Sequence, residues 1–281
     1  MIKAVRRPLL IIDGDSFAHR AYHALPKTIR RKGNKGAGAI LGFANFLLRF
    51  YETESPRAVI VGWDTLDKPT YRHTALPGYQ GGRSFDKELL EQLDVLPTFV
   101  SAFGFSCAKA AGYEADDFLA AAVAREERKG GTCVVASGDR DAFQLASKRT
   151  TIVQPVRAGE LARIGPEDVL ARYGVEASQV PDFIALRGDS SDRIPGAPGV
   201  GPVSAASLIK TYGSVEKLLA AGRFAAQAKN LRLYKKIATM DRKAPLPPLR
   251  DQKPKWTDAA KLARAWDLKN LAERLEALAS V

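Results

Sequence analysis

Apolar positions fall into two regimes along the chain. In the first, short runs of β-branched and aliphatic residues (Leu9–Ile12, Ala58–Gly62 and Thr132–Ala136) have the length and near-continuous hydrophobicity of strands buried on both faces. Between them, Gly38–Tyr51, Asp86–Phe103 and Asp116–Arg128 carry the amphipathic period of helices. Strands alternating with helices predict a mostly parallel α/β sheet. Past about residue 165 the pattern turns helical, over Pro166–Tyr173, Gln179–Leu186, Val203–Tyr212, Ser214–Ala220 and Trp266–Leu278. In the last of these, Leu268, Leu271, Leu275 and Leu278 share one face, the pattern of a helix docked on a core. The expected organisation is an α/β part followed by a helical part, with the boundary near residues 165–180.

Several classes are excluded early. No apolar run approaches the ~18 residues of a membrane span; Gly36–Leu48, the longest, is rich in Gly and Ala and interrupted by Asn45. Leu9–Ile12 is about half the length of a signal-peptide core, so a cytoplasmic protein is expected. Cys107 and Cys133 stand far apart without zinc-like spacing, as thiols of a reducing compartment do. His19 and His23 have the spacing of a helical metal pair but lack an HExxH pattern. There is no GxSxG elbow and no GxxxxGK[ST] loop, and Gly199-Val200-Gly201 lacks the third glycine of a dinucleotide site.

Charge narrows the picture. Of 281 residues, 43 are Lys or Arg and 31 are acidic, a formal +12 with a pI near 9.7. A globular chain this basic points to a polyanion, nucleic acid first. Two segments of the α/β half read as mobile insertions. Pro26–Gly38 carries Lys27, Arg30, Arg31, Lys32 and Lys35 with no acid, and Lys68–Arg83 mixes cations with Tyr71, Tyr79 and a glycine-rich end. Together they suggest a phosphate-tracking channel with stacking platforms.

Against this basic background the acids cluster at strand ends. Asp13 follows the first strand, Asp64 the second, Asp139 and Asp141 the third, while Glu114, Asp116 and Asp117 open a helix. Any one could be a helix cap. In an open α/β sheet, however, sites gather at the carboxyl ends of strands, and carboxylates crowded there repel one another unless a hard divalent cation joins them. Two such ions can activate water and stabilise both oxygens of a phosphodiester displacement. Further on, Leu186–Ser214 places Gly196, Gly199 and Gly201 among Pro195, Pro198 and Pro202 just before a helix, the composition of a hairpin that grips a DNA backbone. Asp189 and Asp192 stand just ahead of it as candidates for a second metal site.

With these stretches in order (IIDGDSFAHRAYHAL, GYEADDFLAA, SGDRDAFQL and LRGDSSDRIPGAPGVGPVSAASLI) the chain resembles the 5′-nuclease, or flap endonuclease, family. The resemblance is to the bacterial and phage type, found as the amino-terminal domain of DNA polymerase I or as a stand-alone exonuclease. It implies an α/β fold: a PIN-like core with a mostly parallel sheet and a helical arch formed from the two basic insertions, then a helical part with a helix-three-turn-helix element. The implied domains are 1–172 and 173–281. It further implies a structure-dependent, metal-dependent 5′-3′ exonuclease or flap endonuclease that leaves 5′-phosphate and 3′-hydroxyl ends. Its cofactors would be Mg²⁺ or Mn²⁺, with K⁺ at the hairpin.

Carried over by motif, Asp13, Asp64, Glu114 and Asp116, with Asp117 beside them, form one metal group, and Asp139, Asp141, Asp189 and Asp192 the other. Arg20 and Arg83 match residues on the scissile phosphate. Tyr79 matches a base-stacking position, and Gln80, Gly196, Gly199, Gly201 and Lys210 join it in contacting DNA. The implied partner is DNA with 5′ flaps, gaps or ends, bound by a monomer near the nucleoid. One position departs from the family: Gln80 stands where a lysine is usual, with Arg83, Lys87 and Arg72 as candidate replacements. That departure keeps open a branched-DNA-binding protein with little cutting, and a PIN-type ribonuclease needs the same acids. Setting the nine acids apart leaves 22 against 43 cations, so the remaining surface is more basic than the net charge suggests.

Overall fold

The computed structural model describes residues 7–66, 68–82, 84–156 and 160–280. In chain order, β1 (Leu9–Asp13), α1 (Gly14–Ala24), β2 (Arg30–Arg31), β3 (Lys35–Gly36), α2 (Gly38–Glu54) and β4 (Ala58–Gly62) come first. Next are α3 (Tyr71–Ala75), α4 (Lys87–Ala102), β5 (Ser106–Ala108), α5 (Ala115–Arg128), β6 (Cys133–Ala136), β7 (Thr150–Pro155) and β8 (Leu161–Ile164). Then follow α6 (Pro166–Tyr173), α7 (Val180–Arg187), α8 (Pro202–Tyr212), α9 (Val215–Ala220), α10 (Ala228–Ala238), α11 (Trp256–Ala265) and α12 (Lys269–Ala279).

A six-stranded sheet runs in the order β5-β4-β1-β6-β7-β8. It is parallel except for β8, which pairs antiparallel with β7 at the edge. β1 lies between β4 and β6, with Leu9 opposite Ala58 on one side and Cys133 on the other. Its burial at every position explains why LLIID reads as an unbroken apolar run ending in an acid. Leu10 and Ile12 face a core shared with α1, α2, α4, α11 and α12, whereas Leu9 and Ile11 face a core built with α5 and the helices from α6 to α10. That is the two-residue alternation of a strand covered on both sides.

The three strands and the helices expected from the pattern form, with ends shifted by a few residues. The helix expected over Trp266–Leu278 forms as α12 and starts three residues later, because the chain turns at Asp267, which takes φ +64 and lets α11 and α12 pack against each other. The face carrying Leu271 and Leu275 does dock on a core, but it is the core beneath α2 and α4. Between α10 and α11, residues 241–255 run back along the sheet. There the Gln252 side chain accepts from Val59 N (2.7 Å) and donates to Ser106 Oγ (2.9 Å).

The first basic insertion differs from expectation. Instead of an open arch, Pro26–Gly38 holds the short hairpin β2–β3 against α4. Arg30 pairs with Glu88, while Arg31 (3.2 Å) and Lys35 (2.7 Å) pair with Glu91. Lys32 N donates to the Trp266 carbonyl (2.9 Å), and the Arg31 guanidinium lies over the Trp266 ring. The glutamates at the start of α4 supply the counter-charge that Pro26–Gly38 lacks in itself. The second insertion, up to Gly82, folds as α3 and the turn Gly78–Gly82 beside the sheet's carboxyl edge.

Candidate active site

Successive strands are laid first on one side of β1 (β4, β5) and then on the other (β6, β7), and the crevice at the carboxyl ends of β1 and β6, where the order switches, is where α/β sheets hold ligands. Asp13, the last residue of β1, caps α1 by accepting from Ser16 N (3.0 Å), and its other oxygen accepts from Ser137 Oγ just beyond β6 (2.8 Å). Asp64, past the end of β4, accepts from Ala115 N at the start of α5 (2.7 Å). Gly62 makes this approach possible, since a Cβ there would lie 2.9 Å from the Ala115 carbonyl oxygen. Glu114 caps α5, Asp116 lies in its first turn, and Asp139 and Asp141 follow β6.

Among the described residues, Asp13, Asp64, Glu114, Asp116, Asp139 and Asp192 line a cavity of about 370 Å³. A neighbouring cleft of about 690 Å³ takes Asp139, Asp141 and Asp189 together with Arg140 and Arg187. Asp139 borders both. Asp192 therefore faces the cavity of the first group, brought there by the second insertion: Gln80 Nε2 donates to Asp192 Oδ1 (3.0 Å) and the Tyr79 hydroxyl to Asp192 Oδ2 (3.4 Å).

Electrostatics marks the crevice. Burial, with smaller contributions from Asp64 and Asp139, pushes the Asp13 carboxyl up to about 7. Asp116 and Asp141 are held well above the usual carboxylate range, chiefly by burial and then by neighbouring acids, Asp13 foremost for Asp116 and Asp139 for Asp141. Glu114 is raised by burial, with Arg72 pulling the other way. Uncompensated negative charge of this kind is what a cation relieves. Among the described residues no three such side chains stand at the spacing of a formed ion site; they ring a cavity instead. An all-carboxylate donor set suits Mg²⁺ or Mn²⁺ rather than a softer metal.

Two assignments change. Asp117 does not reach the cavity. It is fully buried, and Arg72 holds it by two hydrogen bonds (2.8 and 2.7 Å), while its Oδ2 accepts from Glu114 N (3.2 Å). Its oxygens are committed to the start of α5 and to Arg72, so it is a structural partner and not a metal ligand. Arg72, paired there and 3% exposed, cannot serve as a replacement for the arch lysine. Conversely, Asp15 lines the cavity, accepts from Asp64 N (2.7 Å) and is driven well above the usual range by burial and Asp64. In sequence it is indistinguishable from a first-turn helix acid; its one signal is a position two residues past Asp13.

Tyr79 is 4% exposed, with its hydroxyl on Glu114 Oε2 (3.1 Å), so it offers no open stacking surface. Arg20 is exposed on α1 and donates to the Pro155 carbonyl (3.3 Å), outside the lining of the acid cavity. Arg83 lies outside the described residues.

The glycine segment forms a hairpin between α7 and α8. Asp189 and Ile194 exchange backbone hydrogen bonds (2.8 Å each), and Ala197 N donates to Leu186 O (2.8 Å). Gly196 takes φ +75, and a Cβ there would lie 2.5 Å from Gly188 N. Gly199 and Gly201 face open space at the tip, where α8 begins without a side-chain cap. Lys210 is exposed in the last turn of α8, at the far end from that tip.

Residues 8–174 match the family model described as 5′-3′ exonuclease, N-terminal resolvase-like domain, and residues 175–260 match 5′-3′ exonuclease, C-terminal SAM fold. DNA polymerase I of Mycobacterium leprae is 38% identical over 214 residues, covering 75% of this chain and 23% of that protein. DNA polymerase I of Bacillus subtilis is 39% identical over 217 residues, covering 76% and 24%. The chain thus spans about a quarter of the length of the curated relatives it matches. In fold it resembles the T5 D15 protein co-crystallised with metal ions (TM-score 0.70, 17% identity, 96% and 97% of the two chains). It also resembles the catalytic core of Rad2 in complex with DNA substrate (TM-score 0.59, 15% identity, 96% and 93%).

Proposed function

The chain belongs to the 5′-3′ exonuclease family, and we propose that it hydrolyses DNA phosphodiesters at 5′ flaps, gaps and ends. The observation that carries this reading is the ring of carboxylates around one cavity at the sheet's switch point, of which Asp13, Asp15, Glu114 and Asp116 are pushed above the usual carboxylate range, in a chain of net charge +12. Asp13, Asp64, Glu114, Asp116 and Asp192, with Asp139 shared, would hold divalent cations on one side, and Asp141 and Asp189 on the other. When bound, such ions supply Lewis acidity to a phosphate oxygen and make a water acidic enough to attack.

The protein's own groups then orient the strand. Gln80 and Tyr79 tie the Gly78–Gly82 turn to Asp192 and Glu114, closing one side of the cavity. Gln80 adds hydrogen-bond donors there but no positive charge. The exposed Gly199 and Gly201, which leave room for close approach, and the uncapped start of α8 suit a DNA backbone. The same reading gives that hairpin a K⁺ ion, and it treats the chain as a monomer.

The test is a labelled 5′-flap duplex incubated with Mg²⁺ or Mn²⁺. Cleavage to 5′-phosphate products is expected, and Asp139→Asn with Asp141→Asn should lower the rate at least ~10³-fold while binding in EDTA persists. Tight binding without product under both metals would sink the enzyme reading, and preference for single-stranded RNA would replace its substrate.

A further inference from the structure

Arg72 stands in a place that hydrolysis chemistry does not explain. On the short helix α3, its guanidinium is 3% exposed and makes a two-pronged pair with Asp117, which is itself fully buried. Its Nε donates to the Ile237 carbonyl of α10 (2.9 Å), and Nη1 lies 3.4 Å from Glu114 Oε2. Asp117 in turn accepts from Asp241 N (2.8 Å), just beyond α10, and from Glu114 N (3.2 Å). Glu114 completes its hydrogen bonding through Thr70 Oγ1 (2.8 Å) and the Tyr79 hydroxyl (3.1 Å), both from the same insertion as Arg72. Three separate stretches of chain therefore meet at one guanidinium: the insertion, the start of α5 and the end of α10.

A buried ion pair of this kind is poor evidence for stability, because desolvation offsets most of the attraction. Its geometry does constrain direction. Glu114 borders the acid cavity, so whatever holds its backbone amide and faces its carboxylate sets where that carboxylate points. We propose that Arg72 is a positioning residue for the cavity, fixing the Glu114 carboxylate through Asp117 and linking it to the end of α10. It acts through Glu114 and touches no substrate. The proposal rests on the reading of the cavity as a cation site.

Lysine cannot replace the fork: one ammonium would have to serve two Asp117 oxygens and the Ile237 carbonyl from a single point. Asp117→Asn keeps the shape but leaves Arg72 to draw Glu114 away from the cavity. The experiment is calorimetric titration of Mn²⁺ into the full DNA-free chain, for wild type, Arg72→Lys and Asp117→Asn, with melting curves in EDTA alongside. Both variants should bind Mn²⁺ roughly 10- to 100-fold more weakly, the scale of losing a group that orients a ligand. Flap-duplex affinity in EDTA should hold, and saturating Mn²⁺ should restore turnover. The double variant should be less than additive. Unchanged Mn²⁺ affinity with a lower melting temperature would overturn the proposal and leave Arg72 a structural pair. If Arg72→Lys fails to fold, the isosteric Asp117→Asn carries the same test. Absence of saturable Mn²⁺ binding in the wild type is a separate result that overturns the cation reading itself.

Discussion

Asp13, Asp64 and Glu114 each do two things at once: each hydrogen-bonds the start of a helix and each faces the acid cavity. Asp117 does only the first, and Asp15 lines the cavity from what looks like a helix's first turn. Residue type and position cannot separate these cases, because all five lie within a few residues of a strand end or helix start. What separates them is which oxygens remain uncommitted. The raised Asp13 carboxyl has a measurable consequence. Since it binds its proton more tightly in the folded chain than the usual 3.8, folding stability in EDTA is greatest below that range and falls as pH rises toward 7. Melting temperature in EDTA should therefore drop between pH 5 and pH 8, by about 2 kcal/mol of stability or more, and added Mn²⁺ should reverse the drop at the upper end. A melting temperature that rises over this interval would contradict the assignment.

At the scale of elements, strands and helices were legible where hydrophobic period was strong. α1 and α10 fall outside the helices expected, although the buried Phe17, Ala21 and Tyr22 of α1 and Leu231, Tyr234, Ile237 and Ala238 of α10 do recur at helical spacing. The arch was legible as two cationic insertions, but not that Pro26–Gly38 would spend its charge on Glu88 and Glu91 of α4. Those glutamates lie more than fifty positions away in the chain. Within the hairpin the glycines are not equivalent, although they look alike in sequence. Gly196 is pressed against the backbone of Arg187 and Gly188, while Gly199 stands open with φ +72. Gly196→Ala should cost about 2–4 kcal/mol in chemical denaturation, from left-handed backbone strain plus overlap. Gly199→Ala should cost only about 1 kcal/mol, yet it should weaken duplex binding at the tip. Equal costs for the two would overturn the packing described.

For the whole molecule, Trp256–Ala279 carries a consequence that its position late in the chain conceals. Ala259, Ala263, Leu271 and Leu275 are buried in the core with Phe99, Leu47 and Val59, on the face of the sheet opposite α5. Each buried leucine contributes about 1.5–3 kcal/mol, against a total stability of roughly 5–15 kcal/mol for a folded domain. Deleting residues 256–281 should therefore abolish cooperative thermal unfolding of the α/β part, as followed by circular dichroism. A sharp, undiminished transition would show that the pair is dispensable.

The sequence by itself determined the class of sheet, the order of its strand-end acids, the glycine hairpin and the family, because these depend on local period and residue type. Only the tertiary structure decided which acids share a cavity, that Asp192 joins the first group, that Asp117 belongs to Arg72, and that the last two helices return to the sheet. Each of those outcomes is a contact between residues far apart in the chain. Such contacts are selected by burial and charge compensation in three dimensions, which no local pattern encodes.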